Sequence, residues 1–176
     1  MIKFKPRNVS VSRYVAVMGL LFAVASALNL IESILSSALP AGMRIGLSNV
    51  VIMTAMLSIN LPSATLIMLL KVVFVFITRG ASAGFISLCG SMLAFIVTAL
   101  LLRRTASTYV LISVLGSLAH TFGQLMAVRA MMNTNAIWAY APVLLAGSVV
   151  AGICTGIVLK TVFPQIKRLL SKQGKL

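Results

Sequence analysis

A chain of 176 residues is enough for one domain, but 60% apolar and 9% charged residues, against roughly 45–50% and 25% in soluble domains, cannot cover a soluble surface. Its 15 Lys+Arg face a single acid, Glu32, with no aspartate, which excludes paired-carboxylate catalysis and a carboxylate-held divalent metal. No Gly-x-x-x-x-Gly-Lys-Ser/Thr phosphate loop is present, and the net charge of +14 sits mostly at the ends of apolar runs, as membrane topology demands and nucleic-acid binding does not.

Such a chain must satisfy its backbone inside a bilayer, and the long apolar runs select helices. The first segment runs over 14–38, about 37 Å of helix. Lys3, Lys5, Arg7 and Arg13 followed by Ala25-Ser26-Ala27 resemble a signal peptide, yet the apolar stretch begins only at Tyr14 and continues through Leu35, which predicts a retained helix. Pro40-Ala41-Gly42 breaks it. Segments over 45–59 and 63–78 follow, separated by Asn60-Leu61-Pro62-Ser63; at roughly 22–24 Å each they fall short of a core of about 30 Å, so they span with help from their flanks or form a re-entrant hairpin. The fourth segment, 82–102, starts after Arg79-Gly80 and stops at Arg103-Arg104. The fifth covers 106–130 and the sixth 140–163, with Pro142 near its start, where a missing N–H does no harm.

The expected fold is therefore all-α, a six-helix transmembrane bundle over 14–163 between a basic N-terminus, 1–13, and a basic tail, 164–176, lying at the surface. Six segments place both termini on one side. The basic residues of that side, Lys3, Lys5, Arg7, Arg13, Arg103, Arg104, Lys160, Lys167, Arg168, Lys172 and Lys175, outnumber Arg44, Arg79 and Arg129 on the other, so the termini are expected in the cytoplasm of a multi-pass cell-membrane protein.

Polar groups at membrane depth cost about 2.5–3.5 kcal/mol each if charged, so they face a cavity, a partner group or an interface. Glu32 lies toward the outer end of the first helix, with Asn29, Ser33 and Ser36 on its face; Asn49 opens the second; Lys71 lies within the third, with Thr78 continuing its stripe; His120 and Gln124 share a face of the fifth. Glu32, Arg44, Asn49, Lys71, His120 and Gln124 are the predicted substrate-binding residues of one outward cavity. The plainer reading pairs Glu32 with Lys71 or Arg44 and uses His120 and Gln124 to tie helices together. Arg129 is about half a turn from His120 and reads as an interfacial snorkel. A single histidine makes no metal site, and Cys89 and Cys154, both in apolar runs, read as packing residues. Neither a metal nor a cofactor is expected.

The opposite face of the first helix carries Gly19, Ala23 and Ala27, a smooth stripe on which a partner helix can dock; Ala119/Gly123/Ala127 and Gly152/Gly156 are similar stripes suited to internal packing. Two cations against one anion around the cavity favour an anionic or zwitterionic solute.

Four pieces carry a family likeness: Pro40 to Asn49 (Pro-Ala-Gly-Met-Arg-Ile-Gly-Leu-Ser-Asn), Ser87-Leu88-Cys89-Gly90, Gly116 to Gln124 with its His-x-x-Gly-Gln ending, and Ala141 to Gly147. Together, over roughly 14–163, the chain resembles the Gx transporter family, also labelled heptaprenyl diphosphate synthase component I, which is similar to the S components of energy-coupling-factor transporters. The sequence departs from the family's usual pattern at Ser48, Lys71 and Thr121, where Ala, Arg and Asn are common. The resemblance implies a non-enzymatic subunit that captures a small solute and is energised by a separate transmembrane coupling protein with ATPases. The alternative is a non-catalytic membrane subunit associated with isoprenoid or quinone synthesis, or with extracellular electron transfer. Prenyl diphosphate synthases of the usual kind hold Mg²⁺ and diphosphate through aspartate-rich motifs, and this chain has no aspartate.

Overall fold

The computed structural model describes residues 11–35, 46–104, 108–133 and 136–173. The basic start up to residue 10, the Pro40 break, Arg44 and the last three residues lie outside the described residues. The described chain is all-helical: α1 (Val11–Leu35), α2 (Leu47–Ser58), α3 (Leu61–Arg104), α4 (Tyr109–Met132) and α5 (Ile137–Gln173). Four of these contain spans long and apolar enough to cross a membrane, Tyr14–Leu35, Leu61–Arg103, Tyr109–Met132 and Ile137–Thr161, which is the signature of a membrane protein.

The third and fourth predicted segments run on as one helical element, because only Gly80 leaves helical geometry between them. Its φ of 86° and ψ of 174° belong to a region that only glycine enters at low cost. Around it α3 folds back on itself. Gly84 lies against the Phe76 ring, and Ala64, Ile67 and Met68 of the first arm share an apolar cluster with Phe95 and Ala99 of the second. Gly80→Ala is expected to cost about 1–3 kcal/mol in thermal or denaturant unfolding of the purified protein. Unchanged stability would show that the reversal does not depend on this backbone geometry.

α2 is about 18 Å long, too short to span, and nine of its 12 residues are buried. An apolar surface all round the helix is what demands that burial. Its far end turns through Ile59 into Asn60, whose side-chain carbonyl accepts from the Ser63 backbone N–H (2.9 Å) and the Ser63 hydroxyl (2.6 Å), capping the start of α3. With the Ser63 proton spent on Asn60, the Tyr14 hydroxyl donates to Ser63 Oγ at 2.8 Å, tying the beginnings of α1 and α3 together. Phe22 and Phe74 meet edge-on further along, so α1 and the first arm of α3 run parallel.

On the other side of the bundle, glycines set the helix spacing. A Cβ on Gly152 would lie 2.6 Å from Val114 Cα and one on Gly156 2.7 Å from Val110 Cα, so α5 rests directly on the backbone of α4. A Cβ on Gly123 would lie 2.8 Å from the Cys89 carbonyl oxygen, which brings α4 equally close to the second arm of α3. α5 begins at Ile137, earlier than the sequence indicates, so Pro142 sits inside the helix, past the first turn of unpaired N–H groups. Pro164 does not end it either; the helix continues to Gln173.

Candidate functional site

Among the described residues, the buried Glu32 and Lys71 converge on the N-terminus of α2. Gly46 precedes the helix in the left-handed region (φ 74°), where glycine is favoured, and its backbone N–H donates to Glu32 Oε1 at 2.7 Å. α2 has no acid in its own first turn, so Glu32, reaching across from α1 and 5% exposed, supplies the negative charge that the helix dipole favours there. The next link is Asn49, whose backbone N–H returns to the Gly46 carbonyl at 2.9 Å. Lys71, only 2% exposed on the first arm of α3, donates from Nζ to Asn49 Oδ1 at 3.0 Å. Glu32, Asn49 and Lys71, three residues far apart in the chain, are thus joined through a single turn.

Asn49 and Gly46 also form one end of a cavity among α2, the second arm of α3, α4 and α5. Besides Asn49, its polar lining is made of hydroxyls: Ser91, Thr98, Ser113, Ser117 and Thr155. Val50, Met53, Met56 and Phe95 contribute much of the apolar lining. The cavity volume is about 30 Å³, room for one or two waters. The sequence reading did not find these hydroxyls. The available signal was their helical spacing: Ser91 and Thr98 are seven apart and Ser113 and Ser117 four, so each pair shares a face of an otherwise apolar helix.

Of the five predicted substrate-binding residues that are described, only Asn49 lines the cavity; Lys71 bonds to Asn49 and Glu32 to the neighbouring wall residue Gly46. His120 and Gln124 are together, as their spacing predicts, but are packed against the second arm of α3: a Cβ on Gly90 would lie 2.7 Å from Gln124 Cγ and 2.9 Å from the His120 carbonyl oxygen. Gln124 Nε2 is buried without a hydrogen-bond partner, as are Asn29 Oδ1 and Ser26 Oγ on the inner face of α1. Arg44 is outside the described residues. Thr78 does not continue the Lys71 face into the core. It is exposed and donates to the Phe74 carbonyl of its own helix, because the cover over α3 thins as the chain approaches the Gly80 turn. Arg129 is exposed near the end of α4, Cys89 is half-buried and Cys154 is exposed.

The three small-residue stripes have different surroundings. Gly123, Gly152 and Gly156 are consumed by the helix contacts described above, whereas Gly19, Ala23 and Ala27 are exposed along α1, and nothing lies within 4 Å of a Cβ built on Gly19.

The architecture is that of an all-helical membrane protein with a polar network buried at the head of a short internal helix. Over residues 21–162 the chain matches the family model described as heptaprenyl diphosphate synthase component I, and it belongs to that family. No curated protein matches it. No solved structure matches it either.

Proposed function

We propose that this protein is the solute-capturing component of a small-molecule uptake transporter in the cell membrane. Both termini lie in the cytoplasm, and energy comes from a separate transmembrane coupling protein with ATPases. The observation that carries this reading is the Lys71–Asn49 pair, buried inside an apolar bundle on the wall of a hydroxyl-lined cavity. Buried charge and unfilled polar space in a membrane bundle are expensive, and capturing a solute is a use that offsets the cost. The solute is anionic or zwitterionic: its acidic group faces Lys71, while Glu32, bonded to the Gly46 N–H, holds the head of α2 beside it. The chain is not itself a catalyst, since it has no aspartate to hold a metal-bound diphosphate. The family's description suggests the second reading, a non-catalytic membrane subunit associated with isoprenoid or quinone synthesis, or with extracellular electron transfer.

Uptake of labelled candidate solutes by cells separates the two. The transport reading expects accumulation that requires both this chain and the ATPases. It falls if deleting the chain lowers polyprenyl products while uptake across the panel is unchanged.

The exposed Gly19/Ala23/Ala27 stripe is the docking face for the coupling protein, since small residues let a partner helix approach closely. Ala23→Leu is expected to abolish uptake while leaving solute binding by the purified chain intact. Equal loss of both would reassign the stripe to this protein's own packing.

A further inference from the structure

We infer that the cavity among α2, α3, α4 and α5 receives an uncharged, largely apolar ring that carries a carbonyl acceptor beside an N–H donor. This rests on the reading that the bundle captures a solute, and it names the part of the solute that goes deepest. Among the described residues no charged side chain lines the cavity, and Glu32 and Lys71 bond to Gly46 and Asn49 in its wall. A charged group placed inside would have no counter-ion within a low-dielectric bundle, so the solute's acidic group stays at the Lys71 end and the enclosed part is neutral.

The hydrogen-bonding capacity of the lining is asymmetric. An ammonium group has no acceptor, so Lys71 fixes the Asn49 amide with Oδ1 toward itself and leaves Nδ2 as the group that can serve a solute, as a donor. Lys71 is in this respect a positioning residue. The Thr155 hydroxyl proton is spent on the Gly152 carbonyl (3.1 Å) and that of Ser113 on Met53 Sδ (3.5 Å), so these two offer lone pairs. Ser91 is the independent sign of a ligand: it lines the cavity, is 2% exposed, and its Oγ has no hydrogen-bond partner. A buried hydroxyl left open in this way is costly unless something polar fills the space beside it. A donor at Asn49, lone pairs at Ser113 and Thr155, and the open hydroxyl of Ser91, which can accept or donate, match a carbonyl next to an N–H. Phe95 supplies a flat apolar wall, and Met53 and Met56, unbranched and adaptable, are the side chains able to yield as a ring enters a space that now holds one or two waters.

The test uses the full chain, purified in detergent, with 2-pyridone, a neutral ring bearing adjacent C=O and N–H groups, in equilibrium dialysis. Saturable binding is expected, about tenfold weaker for N-methyl-2-pyridone, which lacks the donor, and weakened for 2-pyridone by a similar factor in Ser91→Ala. Ser91→Ala removes a hydroxyl that bonds to nothing, so its fold should persist, and Ser117→Ala is a second cavity variant should it not. Benzoate, a ring bearing a charge, is expected to bind in a way that depends on Lys71 and not on Ser91. The inference is overturned by absence of saturable 2-pyridone binding, by equal affinity for its N-methyl derivative, or by benzoate binding that Ser91→Ala weakens as much as it weakens 2-pyridone. Failure of the ring assignment while ATPase-dependent uptake persists would leave the transport reading standing; 2-pyridone binding in a protein whose deletion leaves uptake intact would do the reverse.

Discussion

Lys71→Met is expected to weaken solute binding by about 2 kcal/mol or more, roughly thirtyfold, the scale of a lost charge-assisted hydrogen bond. Two effects combine. The solute's acidic group loses the cation placed deepest in the bundle, and Asn49 loses the ammonium that holds its amide in one orientation, so the amide can turn its carbonyl toward the cavity and repel an acceptor. Methionine matches the length of the lysine stem and avoids a void, which keeps the substitution a test of charge rather than of packing. Arg129→Met, which changes an exposed cation near the end of α4, should alter affinity little. Calorimetric titration of the purified variants with a solute identified by uptake decides the matter: unchanged affinity in Lys71→Met together with reduced affinity in Arg129→Met would move the binding site to the other end of α4.

The largest effect on stability is expected at the α4–α5 contact. Gly152→Val places its first added carbon 2.6 Å from Val114 Cα and 3.1 Å from Val114 N, and both are backbone atoms that cannot rotate away. The helices must separate, giving up packing along their whole crossing, so a loss of about 3 kcal/mol or more is expected. Gly19→Val adds the same side chain where nothing lies within 4 Å, and it should leave the unfolding midpoint of the isolated chain nearly unchanged. Melting curves of the two variants in one detergent make the comparison. Similar midpoints would show that α4 and α5 do not depend on this close approach.

These two glycines also show how far the sequence reaches. Gly19 with Ala23 and Ala27, and Gly152 with Gly156, are the same signal in one dimension: small residues four apart in an apolar helix. Spacing states which residues share a face and says nothing about what lies opposite, so only the assembled bundle distinguishes an internal crossing from an exposed stripe. The Gly80 reversal is a similar case. Arg79-Gly80 marked a boundary, but the positive φ that turns it into a one-residue fold-back belongs to the packed arms of α3.

What the sequence determined by itself follows from composition and local cost. Sixty per cent apolar residues and long uncharged runs leave helices in a membrane as the solution for the backbone, and Glu32, Asn49 and Lys71 stand out because each is expensive where it lies. The tertiary structure decided how that cost is met. Glu32 binds the N-terminus of α2 across the α1–α2 contact, Lys71 reaches Asn49 over a separation of 22 residues, and hydroxyls from three further helical stretches close around a cavity. A serine or threonine in an apolar helix is cheap enough to pass unnoticed, since it can bond to its own backbone as Thr54 and Thr65 do here. Ser91 matters because long-range packing places it on the cavity wall with nothing to bond, a circumstance that no local pattern encodes.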